Sequence, residues 1–162
     1  MSNFAIGPEL YVLLKAMIVL TLGGILGWER ETAGKWAGLR THMLVCLAAM
    51  LFVEVGQFLI IDAQRVLNDE TLRTDPVRII EAIVTGVAFL GAGTVFRDPE
   101  LPKARGLTTA ASLLATALIG VAVAIERYVI AVGTTLLVLF VLRGMHRFEL
   151  AMDDPRHKQS DD

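Results

Sequence analysis

The chain has 162 residues, of which 54% are hydrophobic and 20% are charged, and its mean hydropathy is +0.59. A soluble domain of this length rarely contains such long uncharged stretches, so the composition indicates a membrane protein that contacts the lipid bilayer. The formal net charge of −2 argues against a nucleic-acid binder or a cationic surface peptide, and we expect no nucleic-acid partner. The single cysteine, Cys46, cannot form a disulfide within the chain.

Five apolar stretches predict an all-α membrane protein, a bundle of five transmembrane helices. The expected spans are about residues 10–27, 42–61, 79–96, 107–125 and 128–142. The last two stretches cannot form one helix, because it would be about 54 Å long and a hydrocarbon core is about 30 Å thick. A tight turn is therefore predicted at Glu126-Arg127.

The ends of the spans carry further signals. Residues 1–9 are predicted to form a polar lead and residues 143–162 a polar tail. No basic leader or small-residue cleavage site accompanies the first span, which is interpreted as a retained helix. Lys15 interrupts that span, and its side chain is expected to reach the nearer interface; the alternative is a lysine on an ion path. Asp75-Pro76 is typical of a helix start and predicts the beginning of the third helix.

The distribution of Lys and Arg predicts the orientation of the protein. These residues are concentrated in the links after the first and third spans and in the tail. Ten of them lie on that side of the membrane and four on the other. Because positive charge is retained in the cytoplasm, we expect the N-terminus outside and the C-terminus in the cytoplasm.

Glycine and alanine crowd the two spans between Glu81 and Gly120. In lipid, small residues let neighbouring helices approach closely, so these positions predict helix–helix contacts. The glycines expected at such contacts are Gly23, Gly27, Gly86, Gly91, Gly93 and Gly120. Small-residue faces left over after internal packing also predict a homo-oligomer, with a dimer favoured.

A shift of 68 residues aligns the first helical hairpin with the second without gaps. GLRT at 38–41 then meets GLTT at 106–109. A true repeat would relate two parallel hairpins by an axis along the membrane normal. The alternative is a chance similarity between glycine-rich membrane helices.

The two GLxT segments begin helices on the predicted cytoplasmic side. A helix start offers unpaired N–H groups and a positive dipole end, so an anion or a partner carboxylate could bind between them. The simpler interpretation is that the threonines cap the helices and the arginines mark the interface. If the repeat is real, Glu29 is expected to pair with Arg97, and Arg30 with Asp98. The candidate residues of this cytoplasmic vestibule are Glu29, Arg30, Arg40, Thr41, His42, Arg97, Asp98, Arg105, Thr108, Thr109 and Ser112.

Glu54, Glu81 and Thr85 are the candidate residues of an intramembrane polar site. Glu54 lies about twelve residues into its helix, where an ionised carboxylate is costly unless it is paired or faces water. Glu81 lies near the outer end of the third span with Thr85 one turn further in, and a solvated interface position would also explain it. The sequence contains no metal-ligand spacing, nucleophile–base pattern or phosphate loop. We therefore predict no metal, no cofactor and no enzyme activity.

Three stretches occur along the chain in the order GWERETAGKWAGLRTHMLVCLAAMLF, DPVRIIEAIVTGVAFLGAGTVF and RGLTTAASLLATALIG. Together they resemble the transmembrane domain of the MgtC/SapB family of bacterial inner-membrane proteins, and the likeness extends over residues 10–142. Longer members carry a cytoplasmic ACT-like domain after the fifth helix, whereas only about twenty residues follow Leu142 here. The chain is therefore similar to the short SapB-like form.

The resemblance implies a location in the bacterial inner membrane and a role in adaptation to low magnesium, acid or intracellular stress, in a family associated with virulence. It also implies that the protein acts by modulating other membrane machinery, with a membrane protein as partner. The alternative is an ion or small-solute carrier, linked to Mg²⁺, that uses Glu54 and the cytoplasmic vestibule. A carrier usually needs several buried ionisable groups, and the small number of charges within the spans favours the regulator.

Overall fold

The computed structural model of the chain describes residues 6–67, 75–95 and 105–152, and it describes the side chains of residues 7–66, 75–95 and 105–144. It confirms the predicted all-α bundle of five helices. They are α1 (Ile6–Thr32), α2 (Leu39–Leu67), α3 (Pro76–Ala92), α4 (Leu107–Ala124) and α5 (Tyr128–Met152). By length and composition, three of the described helices can cross a membrane, over Gly7–Thr32, Leu39–Val66 and Leu107–Ala124. The apolar part of α5, Tyr128–Gly144, is shorter.

The helix bounds differ from the predicted spans at several points. The helices α1, α2 and α5 continue past their apolar stretches, because backbone hydrogen bonding persists where polar side chains reach water. The helix α3 ends at Ala92, whereas the predicted span ends at residue 96, outside the described residues. The N–H of Gly93 donates to the Phe89 carbonyl, and the Thr94 hydroxyl donates to the Gly91 carbonyl at 2.7 Å. These bonds close the last turn of the helix.

The start of α3 and the turn after α4 have the local chemistry that the sequence predicts. The Asp75 carboxylate accepts a hydrogen bond from the Val77 N–H at 2.9 Å, and Pro76 occupies the first helical position. At the other turn, the N–H of Arg127 donates to the Ala122 carbonyl at 2.8 Å. Glu126 adopts a left-handed conformation with φ +62°, a position that usually holds glycine. The turn at Glu126-Arg127 therefore closes α4 without a glycine.

The helix α4 lies at the centre of the bundle and contacts each of the other four helices. Its side chains Leu113, Ile119 and Val123 are fully buried, together with Leu26 of α1 and Met50 of α2. The helix α3 lies at the periphery. It buries one narrow row, Ile83, Val87 and Gly91, against its neighbours. Ile79 and Val84 are half-buried, and the other positions of the helix are exposed.

Four of the six predicted packing glycines lie where two helices meet. A methyl group at Gly23, Gly27 or Gly91 would approach α2 or α4 within 3.1 Å. The closest approach is at Gly120, where an added Cβ would lie 2.2 Å from the carbonyl oxygen of Cys46. No side chain can replace glycine there unless the two backbones separate.

The other two glycines, Gly86 and Gly93, do not lie where two of the described helices meet. Nothing lies within 4 Å of a Cβ built on Gly86, which is on the exposed side of α3. Helical geometry explains this, because Gly86 directly precedes Val87 of the buried row and is therefore rotated away from it by about 100°. Gly93 meets only carbonyl oxygens of the last turn of α3 itself.

One contact occurs in both hairpins at the spacing of the predicted repeat. Gly23 of α1 meets His42 of α2, and Gly91 of α3 meets Ala110 of α4. Both residues of the second pair lie 68 positions after those of the first. This agreement supports the repeat, which stays a prediction.

Candidate functional site

Polar residues are buried at both ends of the bundle. Each end is named after the helix connection that lies there. The α1–α2 end contains the link between those helices and the start of α4. The α4–α5 end contains the turn at Glu126-Arg127 and the start of α1. The α1–α2 end holds a hydrogen-bonded cluster and a separate ion pair, and the α4–α5 end holds one cluster around a lysine.

The cluster at the α1–α2 end is centred on His42, which has no exposed surface. Its Nε2 atom lies 3.1 Å from Ser112 Oγ on α4, and its Nδ1 atom lies 3.0 Å from the Gly38 carbonyl oxygen. Ser112 Oγ also lies 2.8 Å from the carbonyl oxygen of Thr109, a residue that is itself buried. We call His42, Thr109 and Ser112 the His42 cluster. It joins α2 to α4 by a hydrogen bond between side chains.

The acceptor at Gly38 determines where the protons of the His42 cluster lie. A carbonyl oxygen can only accept, so Nδ1 of His42 carries a proton. In the neutral ring, Nε2 accepts from the Ser112 hydroxyl; in the protonated ring, Nε2 donates and that hydroxyl turns to the Thr109 carbonyl. The hydrogen bonding of Ser112 is therefore coupled to the charge of His42.

Glu29 and Arg30 form a buried ion pair at the same end of the bundle, at 5% and 3% exposure. Arg30 Nη2 donates to Glu29 Oε1 at 2.8 Å, and Arg30 Nε donates to the other carboxylate oxygen. Such a two-pronged contact compensates both charges locally. The prediction paired these residues with Arg97 and Asp98, which lie outside the described residues. Within the described part of the chain, each is paired with its sequence neighbour instead.

The start of α2 binds a carboxylate, but that carboxylate belongs to the chain itself. Glu31 Oε2 accepts a hydrogen bond from the Leu39 N–H at 2.8 Å. A negative charge is favourable at this position because of the unpaired N–H groups and the helix dipole. At the start of α4, Gly106 occupies the N-cap with φ +92° and no side chain forms a capping hydrogen bond.

The described residues do not form the predicted open vestibule. Arg40, Thr41, Arg105 and Thr108 are exposed, whereas the His42 cluster and the Glu29–Arg30 pair are buried. His42 faces α4, and successive residues of a helix are rotated by about 100° from one another. Thr41, which directly precedes His42, therefore lies on a different side of α2. The expectation that Thr41 and Thr109 face one shared opening is therefore wrong.

The cluster at the α4–α5 end is centred on Lys15, which is 4% exposed. Its ammonium group lies 2.8 Å from Glu54 Oε1, 2.9 Å from the Ala124 carbonyl oxygen and 3.1 Å from Glu126 Oε1. An ammonium has three N–H donors, and these three acceptors satisfy all of them. We call Lys15, Glu54 and Glu126 the Lys15 cluster. Lys15 extends to the turn at the α4–α5 end of the bundle, where these acceptors pair with its ammonium and bury it.

The Lys15 cluster connects the interior of the bundle with its surface. Glu54 is buried, whereas the Glu126 side chain is 56% exposed. The carbonyl of Ala124 belongs to the last turn of α4, the negative end of the helix dipole. The ammonium also lies 4.8 Å from the centre of the Tyr11 ring, whose hydroxyl is 2.9 Å from that of Tyr128. One lysine thus joins α1, α2 and the turn between α4 and α5.

Sequence reasoning singled out Glu54 but missed its partners. The signal was present, since Lys15 and Glu54 have opposite charges and each interrupts an apolar stretch. In lipid, two such charges are far more stable together than apart. The other predicted members of the polar site are elsewhere. Glu81 and Thr85 are exposed on α3, where the Thr85 hydroxyl donates to the Glu81 carbonyl at 2.7 Å.

The buried polar side chains of both clusters have hydrogen-bond partners within the chain. In the described ranges, no buried side-chain nitrogen or oxygen lacks a hydrogen-bond partner. Nor do His, Cys, Asp and Glu side chains of these ranges form a group of three or more that could hold a metal ion.

The fold and the two clusters define an all-α membrane protein with internally paired polar side chains. The chain belongs to the MgtC family, whose family model matches residues 16–151. No solved structure shows a significant match.

Relatives with known names include two proteins from enteric bacteria and one from Brucella. YhiD of Escherichia coli K12, provisionally named a magnesium transporter, is 35% identical over 136 residues, which cover 83% of this chain and 60% of YhiD. MgtC of Salmonella typhimurium LT2 is 37% identical over 133 residues, which cover 82% of this chain and 50% of that protein. MgtC of Brucella abortus is 38% identical over 100 residues, which cover 62% of this chain and 37% of that protein. The chain thus spans between about a third and three fifths of the length of these relatives, and none of the three names describes an enzyme.

Proposed function

We propose that this chain is a non-catalytic regulator in the bacterial inner membrane, which binds another membrane protein during adaptation to low magnesium, acid or intracellular stress. The family supports the proposal, and the name of YhiD connects that relative with magnesium. The buried charges support it as well, since Lys15 is already paired with Glu54 and Arg30 with Glu29 within the chain.

The exposed side of α3 is the observation that carries this proposal. Glu81, Thr85 and Phe89 recur every four residues along this side, with Gly86 beside them, and all are exposed. We call these four residues the α3 outer face. A carboxylate is unfavourable against lipid, whereas a neighbouring helix can pair with the carboxylate and can approach the glycine closely. The face therefore has the composition of a helix–helix interface.

A carrier is the second candidate function, and the Lys15 cluster is the observation that favours it. Two carboxyl groups and a backbone carbonyl surround one ammonium, and Glu126 connects them to the surface. Oxygen atoms of this kind also suit hard cations such as Mg²⁺. A transported ion would have to displace Lys15, whose three donors are all engaged.

Two measurements distinguish the regulator from the carrier. Pure protein in liposomes is expected to give no Mg²⁺ flux above that of empty liposomes. In native membranes, a photo-crosslinking amino acid at Phe89, which is 80% exposed on α3, is expected to capture a second membrane protein. The same group at Phe140, which is 75% exposed on α5, is the matched control and should capture only lipid.

Other outcomes would change the conclusion. Flux that disappears in Glu54→Gln would establish the carrier and overturn the regulator. A Phe89 product with twice the mass of the chain would identify a second copy as the occupant of the α3 outer face. That result would support the predicted dimer, and the face would no longer argue for a different partner.

We also propose that the N-terminus lies outside and the C-terminus in the cytoplasm, as the ten-to-four distribution of Lys and Arg favours. An alkaline phosphatase fusion after Asp162 is expected to be inactive, and a fluorescent protein at the same position is expected to fluoresce. Fusions that end at Arg127 are the control and should give the opposite pattern. An active phosphatase after Asp162 would reverse the orientation.

A further inference from the structure

The geometry points to an anionic phospholipid site in the groove between α1, α2 and α5 at the α1–α2 end of the bundle. The groove has a volume of about 460 Å³, and its lining includes Leu20, Thr21, Gly24, Trp28, Met43 and Arg143. We call it the Arg143 groove. Ligand sites in proteins commonly enclose about 300–1,000 Å³, so the groove is large enough for a lipid headgroup and the first part of an acyl chain. This site is independent of the regulator proposal and of any partner on α3.

The walls of the Arg143 groove suit hydrocarbon. Leu20 and Met43 contribute apolar side chains, and Gly24 leaves the space between them open. A methyl group at Gly24 would only just touch the Met43 side chain, at 3.7 Å. A larger side chain at this position would fill the groove, which makes Gly24 a place where its occupancy can be tested.

The rim of the groove suits a phosphate at the membrane interface. Arg143 is exposed, and no carboxylate in the described part of the chain forms an ion pair with it. Guanidinium groups bind phosphate oxygens through two parallel N–H bonds. Trp28, which is 61% exposed, is an aromatic residue of the kind that lies at the headgroup level. An apolar groove with a cation and a tryptophan at its rim matches a phospholipid from headgroup to acyl chain.

The charge around the groove selects an anionic lipid. Lys35 and Arg40 are also exposed at the α1–α2 end. The nearby acidic groups are engaged, since Glu29 pairs with Arg30 and Glu31 binds the start of α2. The remaining positive charge favours a net negative headgroup over a zwitterionic one. Inorganic phosphate would meet the cation but leave the apolar walls without a partner.

Lipid retention by the purified full chain tests the site. Native mass spectrometry from detergent micelles containing either POPG or POPC is expected to show preferential retention of POPG. Arg143→Gln should weaken POPG retention by about tenfold or more, because a charge-assisted contact is lost, and should weaken POPC retention by less, because its headgroup shares the phosphate but has no net charge. Gly24→Leu should weaken retention of both lipids because it fills the groove. Arg127→Gln is the matched control, since this exposed arginine lies at the opposite end of the bundle.

Each alternative outcome is decisive. Equal POPG retention by wild type and Arg143→Gln would overturn the site, provided that both melt at the same temperature without lipid. Unchanged retention in Gly24→Leu would place the lipid elsewhere and overturn the groove as its location. If inorganic phosphate stabilises the wild type as much as POPG does, the site binds phosphate and the lipid assignment is wrong.

Discussion

Lys15→Met is expected to destabilise the bundle by about 3–5 kcal/mol, because it leaves the buried Glu54 carboxylate without its counter-ion. Methionine keeps the length and the apolar stem of the side chain, so the loss reports on the ammonium and not on a cavity. The measurement is the free energy of unfolding of the pure protein in mixed micelles, obtained by titration with denaturing detergent.

The two carboxylates around Lys15 provide the controls. Glu126→Gln should cost no more than about 1 kcal/mol, since the Glu126 side chain is 56% exposed and Glu54 still neutralises the ammonium. The double variant Lys15→Met, Glu54→Leu removes both buried charges and is expected to recover most of the lost stability. If Lys15→Met unfolds like the wild type, or if the double variant is less stable than Lys15→Met, the buried pair does not hold the helices together.

Most of the fold could be predicted because it follows from local chemistry. Apolar length predicts the helices, Asp75-Pro76 predicts the start of α3, and the limit on helix length predicts the turn at Glu126-Arg127. The direction in which each helix faces could not be predicted in the same way. Leu44 is 63% exposed and Met50 is fully buried on the same helix, because lipid is as apolar as the interior of the bundle. Hydropathy therefore does not distinguish the two sides of a membrane helix.

The candidate sites show the same limit. The sequence predicts an open vestibule lined by His42, Glu29 and Arg30, because polar residue types at helix ends suit a ligand and do not reveal burial. In the structure all three side chains are buried and form hydrogen bonds with other residues of the chain. The pair of Lys15 and Glu54 depends on a contact between residues 39 positions apart, which no periodicity within one helix reveals. Opposite charges in two apolar stretches are the only sequence signal for it.

Gly120→Ala is expected to destabilise the protein by about 1–3 kcal/mol, although it adds a single methyl group. The added Cβ would lie 2.2 Å from the carbonyl oxygen of Cys46, and because that atom belongs to the backbone of α2 it cannot rotate away. The two helices must separate, which also disturbs the packing of Ala49, 3.2 Å from the same Cβ.

Gly86→Ala is the matched control for this prediction, because it makes the same chemical change on α3 where nothing lies within 4 Å. Alanine favours a helix over glycine, so Gly86→Ala is expected to be neutral or more stable by up to about 1 kcal/mol. The comparison uses the free energy of unfolding of both variants in the same micelles. Equal stability of Gly120→Ala and the wild type would show that α2 and α4 leave room for a methyl group at residue 120. Destabilisation of Gly86→Ala by a similar amount would instead show that the exposed side of α3 is packed against a partner or a second copy in the purified protein.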